Sequence, residues 1–431
     1  MPSKMTSVAL TNSASKVWPD QGWWKGFASD ELNRLIAEAE QNNLDIVIAR
    51  TRVEQADAQA RIVGSALLPS ITGSVKAGQT GSLHTSSSDV KSLSASVGVS
   101  YEVDFWGRNF ESARAADSAL LASVYDQETV ALTTVAGVAD TYFRLLSLRD
   151  RVKFTQLNVD NATKLLALTQ KQYDVGLVSR LPLAQQSSLL ASLKAQAASL
   201  ELQERQTFGA LAILMGKPPQ DFSVGAQTLE GLSLPTVSAG LPSDLLSRRP
   251  DVKSAEANLE AAQADLAAAR AAFLPTVSLT GDAGVASTAL SGLLAGSNAA
   301  YTIGAALVQT IFRGGQLIAQ DDQAYARREQ LLASYRKSAI TAFSDVDQAL
   351  VAVSTATVQE EQQTLAAASA AEALRLAQAQ YKAGTADFLT VLSAQQTYYS
   401  AEDQLAQVKS SRLQATVDLF RALGGGWTAG N

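Results

Sequence analysis

The chain has 431 residues, of which 46% are hydrophobic and 6% aromatic, and it carries a net charge of −6. This length allows two or three ordinary domains, whereas the low aromatic content and the 10 prolines suit long helices better than compact α/β domains. The negative charge argues against a nucleic-acid partner. Because the chain has no cysteine, disulfides, thiol nucleophiles and cysteine-based zinc sites are excluded.

Catalytic and cofactor chemistry also finds little support. A Ser-His-Asp triad would have to use His84, which stands in the polar stretch GSLHTSSSD and is better interpreted as a solvated loop histidine. No phosphate-binding or dinucleotide-binding glycine motif follows a predicted strand. We therefore expect no enzyme, no cofactor and no metal site.

Membrane and targeting signals are absent in their usual helical form. No apolar run approaches the roughly 18 to 20 residues of a transmembrane helix. The first residues also lack the apolar region and cleavage pattern of a signal peptide. Taken alone, these features describe a soluble cytosolic chain, but the strand patterns oppose that interpretation.

In chain order, a helical pattern from Asp30 ends at the Leu-Pro pair 68–69, because proline disfavours helix in the residue before it. Two strands, a long helix and a shorter return helix follow, and the same succession then recurs. The expected first repeat is 1–215, with strands at about 69–79 and 92–104, a long helix at 108–173 and a return helix at 181–214. After an equatorial linker at 216–242, the second repeat is 243–431, with a helix at 243–272, strands at 275–286 and 299–311, a long helix at 315–382 and a return helix at 387–423.

Internal matches carry this repeat. ALLPSITGSV recurs as AFLPTVSLTG, YEVDFWGR has a weaker echo in LVQTIFRGG, YDVGLVSRLPL matches YKAGTADFLTV, and LAILMGKPP matches LFRALGGGW. The four shifts are 206, 206, 208 and 208 residues. A nearly constant shift predicts two structural copies of about 200 residues.

The four strands alternate between an apolar face and a polar or small face over about ten residues, which is typical of transmembrane β-barrel strands. A soluble antiparallel sheet with one wet face is the alternative. Four such faces without a second sheet to pack on favour the membrane. We expect Val97, Val99, Tyr101, Ile303 and Leu307 to face lipid, and Ser96, Glu102, Asp282 and Thr302 to face the lumen or the outer mouth.

The two long helices predict rods of about 100 Å at 1.5 Å per residue. Ala339, Phe343, Val346, Leu350 and Val353 step by 4 and 3, which is the heptad stripe of coiled-coil packing. Each rod reverses at a YxxG turn, where glycine supplies the helix-ending conformation.

Taken together, these elements resemble the TolC-like outer membrane efflux channel family, in its lipoprotein-type branch that serves RND-type tripartite pumps. The motifs that carry the resemblance are YEVDFWGR, LLSRRPDV, AAFLPTVSLTG and YKAGTADFLTVLSAQQ. The resemblance implies a mixed α and β membrane protein with two internal repeats. It also implies a homotrimer whose 12-stranded transmembrane β-barrel, four strands per subunit, continues into a coiled-coil α-helical barrel.

The same resemblance implies a function. The channel would be a passive trimeric conduit in the bacterial outer membrane, with its helical barrel in the periplasm, and would export small molecules. Its partners would be outer membrane lipid, a periplasmic adaptor protein and an inner-membrane RND-type transporter, with a role in multidrug resistance. A type I secretion channel remains an alternative, as does a helical pore-forming or scaffold protein. Cargo stays open, although methionine only at positions 1, 5 and 215 gives no support to a methionine-lined metal path.

Many members of this branch carry a lipid-modified N-terminal cysteine, which is absent here. We interpret the sequence as a processed or engineered form, and its lipid anchor stays open.

The stretch YEVDFWGRN is predicted to be the junction between the two barrels. Trp106 suits the membrane interface, Gly107 permits a close bend, and Asp104 can act on the N-terminus of the following helix, which begins near Arg108.

The two YxxG turns are predicted to form the periplasmic end. We assign the gate to Asp387, Tyr381, Arg180, Asp174 and Tyr173. Gly176, Gly384 and Lys382 are assigned to the adaptor contact, on the strength of the resemblance.

Overall fold

The structure is a computed structural model that describes residues 18–81, 90–235 and 242–428. His84 and the first 17 residues lie outside this part of the chain. The described residues form, in chain order, α1 (Asp30–Asn42), α2 (Leu44–Gly64), β1 (Ser70–Thr80), β2 (Val90–Val103), α3 (Arg108–Asp174), α4 (Arg180–Leu214), α5 (Pro242–Arg248), α6 (Pro250–Ala271), β3 (Thr276–Ser287), β4 (Ala299–Val308), α7 (Gln316–Lys382) and α8 (Phe388–Ala422).

The chain divides into two compact units. The strand unit comprises Thr51–Tyr125 and Ser254–Lys337. The helical unit comprises the described residues of Met1–Arg50, Asp126–Lys253 and Ser338–Asn431.

The strand unit contains one antiparallel sheet in the order β1-β2-β3-β4. Its register pairs Tyr101 with Leu279, and Leu279 with Ala305. It also pairs Asp282 with both Gly98 and Thr302. Because directly opposed residues in a sheet share a face, the predicted lipid-facing residues lie on one face and the predicted polar ones on the other.

The apolar face of this sheet is open in the single chain. Ile71, Val75, Ile303 and Leu307 are between 68% and 83% exposed. A soluble sheet would bury such a face against its own core, and nothing in the described strand unit covers these four side chains.

Two element boundaries differ from the sequence prediction. β4 ends at Val308 rather than near 311, and the Gln309 side chain then donates to the carbonyl of Phe273 at 2.9 Å. The helix expected at 243–272 is two helices that are interrupted at Arg249. The break has the same cause as the end of the helix at Leu68. Arg249 precedes Pro250, and proline disfavours helix in the residue before it.

The helical unit holds the main core. The stripe Leu32, Leu35, Ile36 and Ala39 on α1 is fully buried and recurs at the spacing of one helix face. It packs in one cluster with Met215, which caps the end of α4, and with side chains of α3, α4 and α8 that include Tyr142, Phe143, Leu211, Val417 and Phe420. No helix of the described residues has an 18-residue stretch apolar enough to cross a membrane.

The leading helical pattern, which predicts one helix, is also broken, at Asn43. The Asn43 carboxamide oxygen accepts hydrogen bonds from Asp45 N at 2.8 Å and Ile46 N at 3.1 Å, as the N-cap of a new helix does. Its amide nitrogen donates to the carbonyl of Leu214, at the end of α4, at 2.9 Å. Asn43 therefore starts α2 and ties it to the return helix.

The equatorial linker is held by the buried side chains of Phe222, Val224 and Leu229, which join the core cluster, and by its backbone. Glu31 accepts hydrogen bonds from the N–H groups of Gly225 and Ala226 at 2.7 and 2.8 Å. Arg149 donates to the carbonyls on the same stretch, at Val224 (3.0 Å) and Ala226. Asp150 accepts from Leu229 N at 2.9 Å. Three charged side chains of the helices thus fix the linker between residues 224 and 229.

Candidate functional sites

The two YxxG turns have the same backbone geometry. Gly176 has φ +75° and Gly384 has φ +72°, a left-handed conformation that residues with a side chain rarely adopt. Beyond each glycine, a backbone N–H reaches back to a carbonyl five residues earlier, from Leu177 to Gln172 at 2.8 Å and from Thr385 to Gln380 at 3.0 Å. Both long helices therefore end in a Schellman motif.

Tyr381 links the two halves of the chain. Its hydroxyl donates to Gln172 Oε1 at 3.2 Å, which joins the end of α7 to the end of α3. Its ring meets Phe388 edge-on, with 5.9 Å between the ring centres. Gln172 and Phe388 were not singled out from the sequence, because their positions carry no local signal.

Asp387 is the N-cap of α8. Its Oδ1 accepts hydrogen bonds from Thr390 N at 2.9 Å and from the Thr390 hydroxyl at 2.7 Å. The hydroxyl bond and then the backbone bond lower the pKa of this carboxyl. The spacing of Asp387 and Thr390, three residues apart at a helix start, is the signal that could have identified this cap.

The other charged residues at the turns lie at the surface. Asp174 accepts a hydrogen bond from the Gln170 side chain one turn earlier, at 2.8 Å. Arg180 begins α4 and Lys382 ends α7, and both are exposed. Within residues 18–81, 90–235 and 242–428, neither of these two cations forms an ion pair with Asp174 or Asp387. The ring of Tyr173 is also exposed.

At the strand-to-helix junction, Arg108 donates to both carboxylate oxygens of Glu102, at 2.7 and 2.9 Å. Glu102 lies on β2 and Arg108 opens α3, so this bidentate pair bridges the change from strand to helix. Asp104 lies between them and accepts a hydrogen bond from Phe110 N at 2.7 Å, in the first turn of α3. Glu102 had been assigned only to the polar strand face, and its role as the partner of Arg108 was missed.

Trp106 and Gly107 complete the junction. The indole N–H of Trp106 donates to the carbonyl of Pro275 at 2.7 Å, next to the start of β3. Gly107 has φ +74° and open space around its Cα, so backbone conformation rather than crowding calls for glycine. In the second copy of the motif, Ile311 and Phe312 are 89% and 87% exposed within the single chain.

The described residues contain no group of three or more His, Cys, Asp or Glu side chains that could hold a metal ion. The polar groups described above form caps, turns and helix-to-helix bonds.

Comparison with protein families gives two matched segments. The model described as outer membrane efflux protein matches residues 35–217 and residues 241–425. The two segments cover most of the chain and leave out the linker between them.

Individual proteins give the same picture. The pyoverdine export outer membrane protein OpmQ of Pseudomonas aeruginosa is 41% identical over 415 residues, which cover 94% of this chain and 87% of OpmQ. The toluene efflux pump outer membrane protein TtgC of Pseudomonas putida is 32% identical over 424 residues, with coverage of 97% and 87%. The crystal structure of the CmeC outer membrane channel of Campylobacter jejuni superposes with a TM-score of 0.94 at 27% identity, and covers 99% of this chain and 93% of CmeC.

Proposed function

Because the chain belongs to the outer membrane efflux protein family, we propose that it is the outer membrane component of a tripartite efflux system. In this proposal it acts as a passive homotrimeric conduit that exports small molecules. The observation that carries the proposal is the four-stranded sheet with an exposed apolar face and two open edges.

The resemblance inferred from the sequence is confirmed, since the family model and the relatives are those of outer membrane efflux proteins. These proteins are channels for transport and not enzymes, so the expectation of a transport function is confirmed as well.

The trimer follows from the cost of open strand edges. In lipid, each unpaired backbone group costs several kcal/mol, so a four-stranded sheet cannot stand alone in a membrane. Three copies joined edge to edge, β4 of one to β1 of the next, close a 12-stranded barrel, and the exposed apolar side chains then face lipid.

The repeat predicts the register of this joint. β2 pairs with β3 through Tyr101 and Leu279. Adding the 206-residue shift to Tyr101 gives Leu307, and subtracting it from Leu279 gives Gly73. Leu307 should therefore lie opposite Gly73 of the neighbouring copy. The same shift relates the β1–β2 register to the β3–β4 register to within two residues.

Cysteine cross-linking tests the joint directly, because the chain has no cysteine of its own. The double variant Leu307→Cys, Gly73→Cys should form covalent trimers on a denaturing gel under oxidising conditions. The matched control combines Leu307→Cys with Thr72→Cys. Because Thr72 points to the opposite face of the sheet, this control should cross-link poorly. The trimeric barrel is excluded if Leu307→Cys gives only monomer on the gel when it is combined with Gly73→Cys, with Ile71→Cys and with Val75→Cys.

We assign the periplasmic end to the two YxxG turns. Tyr381, Asp387, Arg180, Asp174 and Tyr173 form the gate in this assignment. Gly176, Gly384 and Lys382 shape the surface for a periplasmic adaptor, through which an inner-membrane RND-type transporter delivers cargo. The bond from Tyr381 to Gln172 supports the gate, since it holds the two long helices together where they end.

The cargo that we propose is a small organic molecule of the siderophore kind. The support is the 41% identity to a protein named for pyoverdine export, against 32% to one named for toluene efflux. Deletion of the gene should lower the amount of siderophore in the medium and raise it in the periplasm, and the intact gene should restore export.

A further inference from the structure

The polar face of the sheet carries few charges. On the described strands, the charged side chains of this face are Lys76 on β1, Glu102 on β2 and Asp282 on β3. Glu102 is paired with Arg108. Lys76 and Asp282 are exposed, and neither forms an ion pair or a side-chain hydrogen bond within the part of the chain that the structure describes. Each copy therefore has one cation and one anion without partners on the same face.

The register of the sheet keeps these two charges apart within one copy. Lys76 pairs with Ser94, and Ser94 pairs with Ala286, which is four residues from Asp282. With strands about 4.8 Å apart and a rise of about 3.4 Å per residue, the Cα atoms of Lys76 and Asp282 are roughly 16 Å apart. Fully extended lysine and aspartate side chains form an ion pair up to about 13 Å between their Cα atoms. An ion pair inside one copy is therefore out of reach.

The proposed joint between copies brings the two charges closer. Lys76 lies three residues after Gly73 on β1, so the register proposed for the joint places it opposite Gly304 of the adjoining copy. Gly304 pairs with Thr280, which is two residues from Asp282. The same strand spacing and rise then give roughly 12 Å between the Cα atoms of Lys76 and Asp282. Across the joint, the two side chains are within reach.

Small residues leave room for this contact. In the single chain, the Asp282 carboxylate lies over Gly98 of β2, where an added Cβ would be 3.4 Å from Oδ2. On the other side of Asp282, β4 offers the short side chain of Thr302 and, at Gly304, no side chain. A change of χ1 rotamer turns the carboxylate from β2 toward β4. No bulky side chain of β4 separates it from the lysine of the next copy.

We propose that Lys76 of one copy and Asp282 of the next form an ion pair in the lumen, at each joint of the barrel. The inference rests on the proposed trimeric barrel and specifies how the two sheet edges recognise each other. Opposite charges that meet in one register favour it over a register slipped by two residues. Because Glu102 and Arg108 also neutralise each other, the polar face of the described strands then has no net charge, and these strands do not select cargo by charge.

Carbodiimide coupling tests the contact itself, because an exposed ion pair adds too little stability to be measured reliably. The reagent joins a lysine amine to a carboxylate that touches it and adds no spacer. Treatment of the purified protein in detergent should give covalent oligomers on a denaturing gel, and mass spectrometry should find an amide between Lys76 and Asp282. Lys91→Arg, which removes a lysine amine from the opposite face of the sheet, should leave this amide unchanged.

Two variants show whether the amide joins different copies. Lys76→Arg keeps the charge but offers no amine, and Asp282→Asn keeps the shape but offers no carboxylate, so neither alone should form the amide. When the two variants are co-expressed, the amide can form only between copies of different kinds. It should then return at about a quarter of the parent's yield, which is the share of joints with the productive arrangement in a cyclic trimer assembled at random.

The outcomes separate this inference from the proposed trimer. An amide that forms in the parent but does not return in the mixture would place the contact inside one copy and overturn the inference. If the cysteine-linked trimers described above form but the amide does not, the ion pair is excluded while the barrel stands. Trimers linked through Val75 instead of Gly73 would return the two charges to roughly 16 Å and also exclude the pair. Failure of both cross-links would remove the barrel and the pair together.

Discussion

The two YxxG turns share one backbone and differ in nearly every side chain. At the second turn, Asp387 caps α8 through Thr390, and Tyr381 is bonded to Gln172 on the other long helix. At the first turn, Ser179 occupies the cap position without a side-chain hydrogen bond, and the ring of Tyr173 is exposed. The first turn instead exposes the apolar side chains of Val175, Leu177 and Leu181, each at least 64% exposed.

This difference separates shape from function at two hairpins that have the same backbone geometry. The glycine and the helix-ending bonds preserve the hairpin, so the surrounding side chains are free to diverge. At the second turn, side-chain hydrogen bonds join Tyr381 to α3 and Asp387 to the first turn of α8. The first turn exposes apolar side chains instead. In the proposed assignment, both turns contribute to the gate, the second through the hydrogen-bonded Tyr381 and Asp387 and the first through exposed side chains.

The largest change is expected when the charges of both turns are removed together. Asp387→Ala combined with Arg180→Ala should raise single-channel conductance or reduce cation selectivity in planar bilayers, because the proposed trimer places three copies of these charges around a narrow mouth. Ser179→Ala, which changes a cap position without changing charge, is the control. A double variant with both the conductance and the ion selectivity of the parent would place the gate elsewhere.

The shared backbone predicts equal losses at both turns. Gly176→Ala and Gly384→Ala should each destabilise the adjoining helix ends by about 1–2 kcal/mol, because an L-residue is strained in the left-handed conformation. Hydrogen exchange in the last turns of α3 and α7 measures the effect. Gly209→Ala, inside α4 and in open space, should stabilise by about 0.5–1 kcal/mol instead. Unequal losses at the two turns would contradict the equivalence of their backbones.

The tyrosines should behave differently. Tyr381→Phe removes the hydrogen bond to Gln172 and should cost about 0.5–1.5 kcal/mol of local stability, read from hydrogen exchange at the end of α7. Tyr173→Phe removes a hydroxyl from an exposed ring and should cost close to nothing. Similar losses of stability in both variants would mean that the hydrogen bond of Tyr381 to Gln172 does not distinguish the second turn from the first.

The smallest expected effect is an acid response of the second turn alone. The lowered pKa of Asp387 means that its cap stabilises α8 above the ordinary pKa of aspartate, and that this stabilisation is lost as the pH falls through the lowered value. Exchange of the Thr390 amide, corrected for its intrinsic rate, should therefore accelerate in acid. The start of α4 has no titrating cap at Ser179 and should not respond. Asp387→Asn keeps an acceptor without the titration, so an acid response that persists in this variant would exclude the carboxylate as its source.

Features with a local chemical cause could be predicted from the sequence. Gly176 and Gly384 were recognisable because a helix that reverses requires a left-handed residue at its end. The sheet faces were recognisable because alternation has a period of two, so that Val99 and Ile303 had to share a side.

The rest depends on contacts between distant parts of the chain. Gln172 has no distinguishing neighbours in the sequence, and only the folded chain brings it to Tyr381, 209 residues away. The alternation of β2 predicts only the sheet face on which Glu102 lies. Its ion pair with Arg108, six residues later, depends on how the chain turns from strand to helix. Asn43 looked like helix interior because the apolar periodicity continues past it, and its bond to Leu214 decides the break.

The positions of the equatorial linker, residues 216–242, differ in how much change they tolerate. Glu31, Arg149 and Asp150 bind its N–H and carbonyl groups, which every residue except proline offers in full. Side-chain identity at Gln227 and Thr228 therefore carries little of the attachment, and a short epitope tag at these positions should be accepted where the same tag in α1 would not. Sequence can therefore drift, or be engineered, at Gln227 and Thr228, whereas Phe222, Val224 and Leu229 of the same segment are buried in the core and should not tolerate polar replacements.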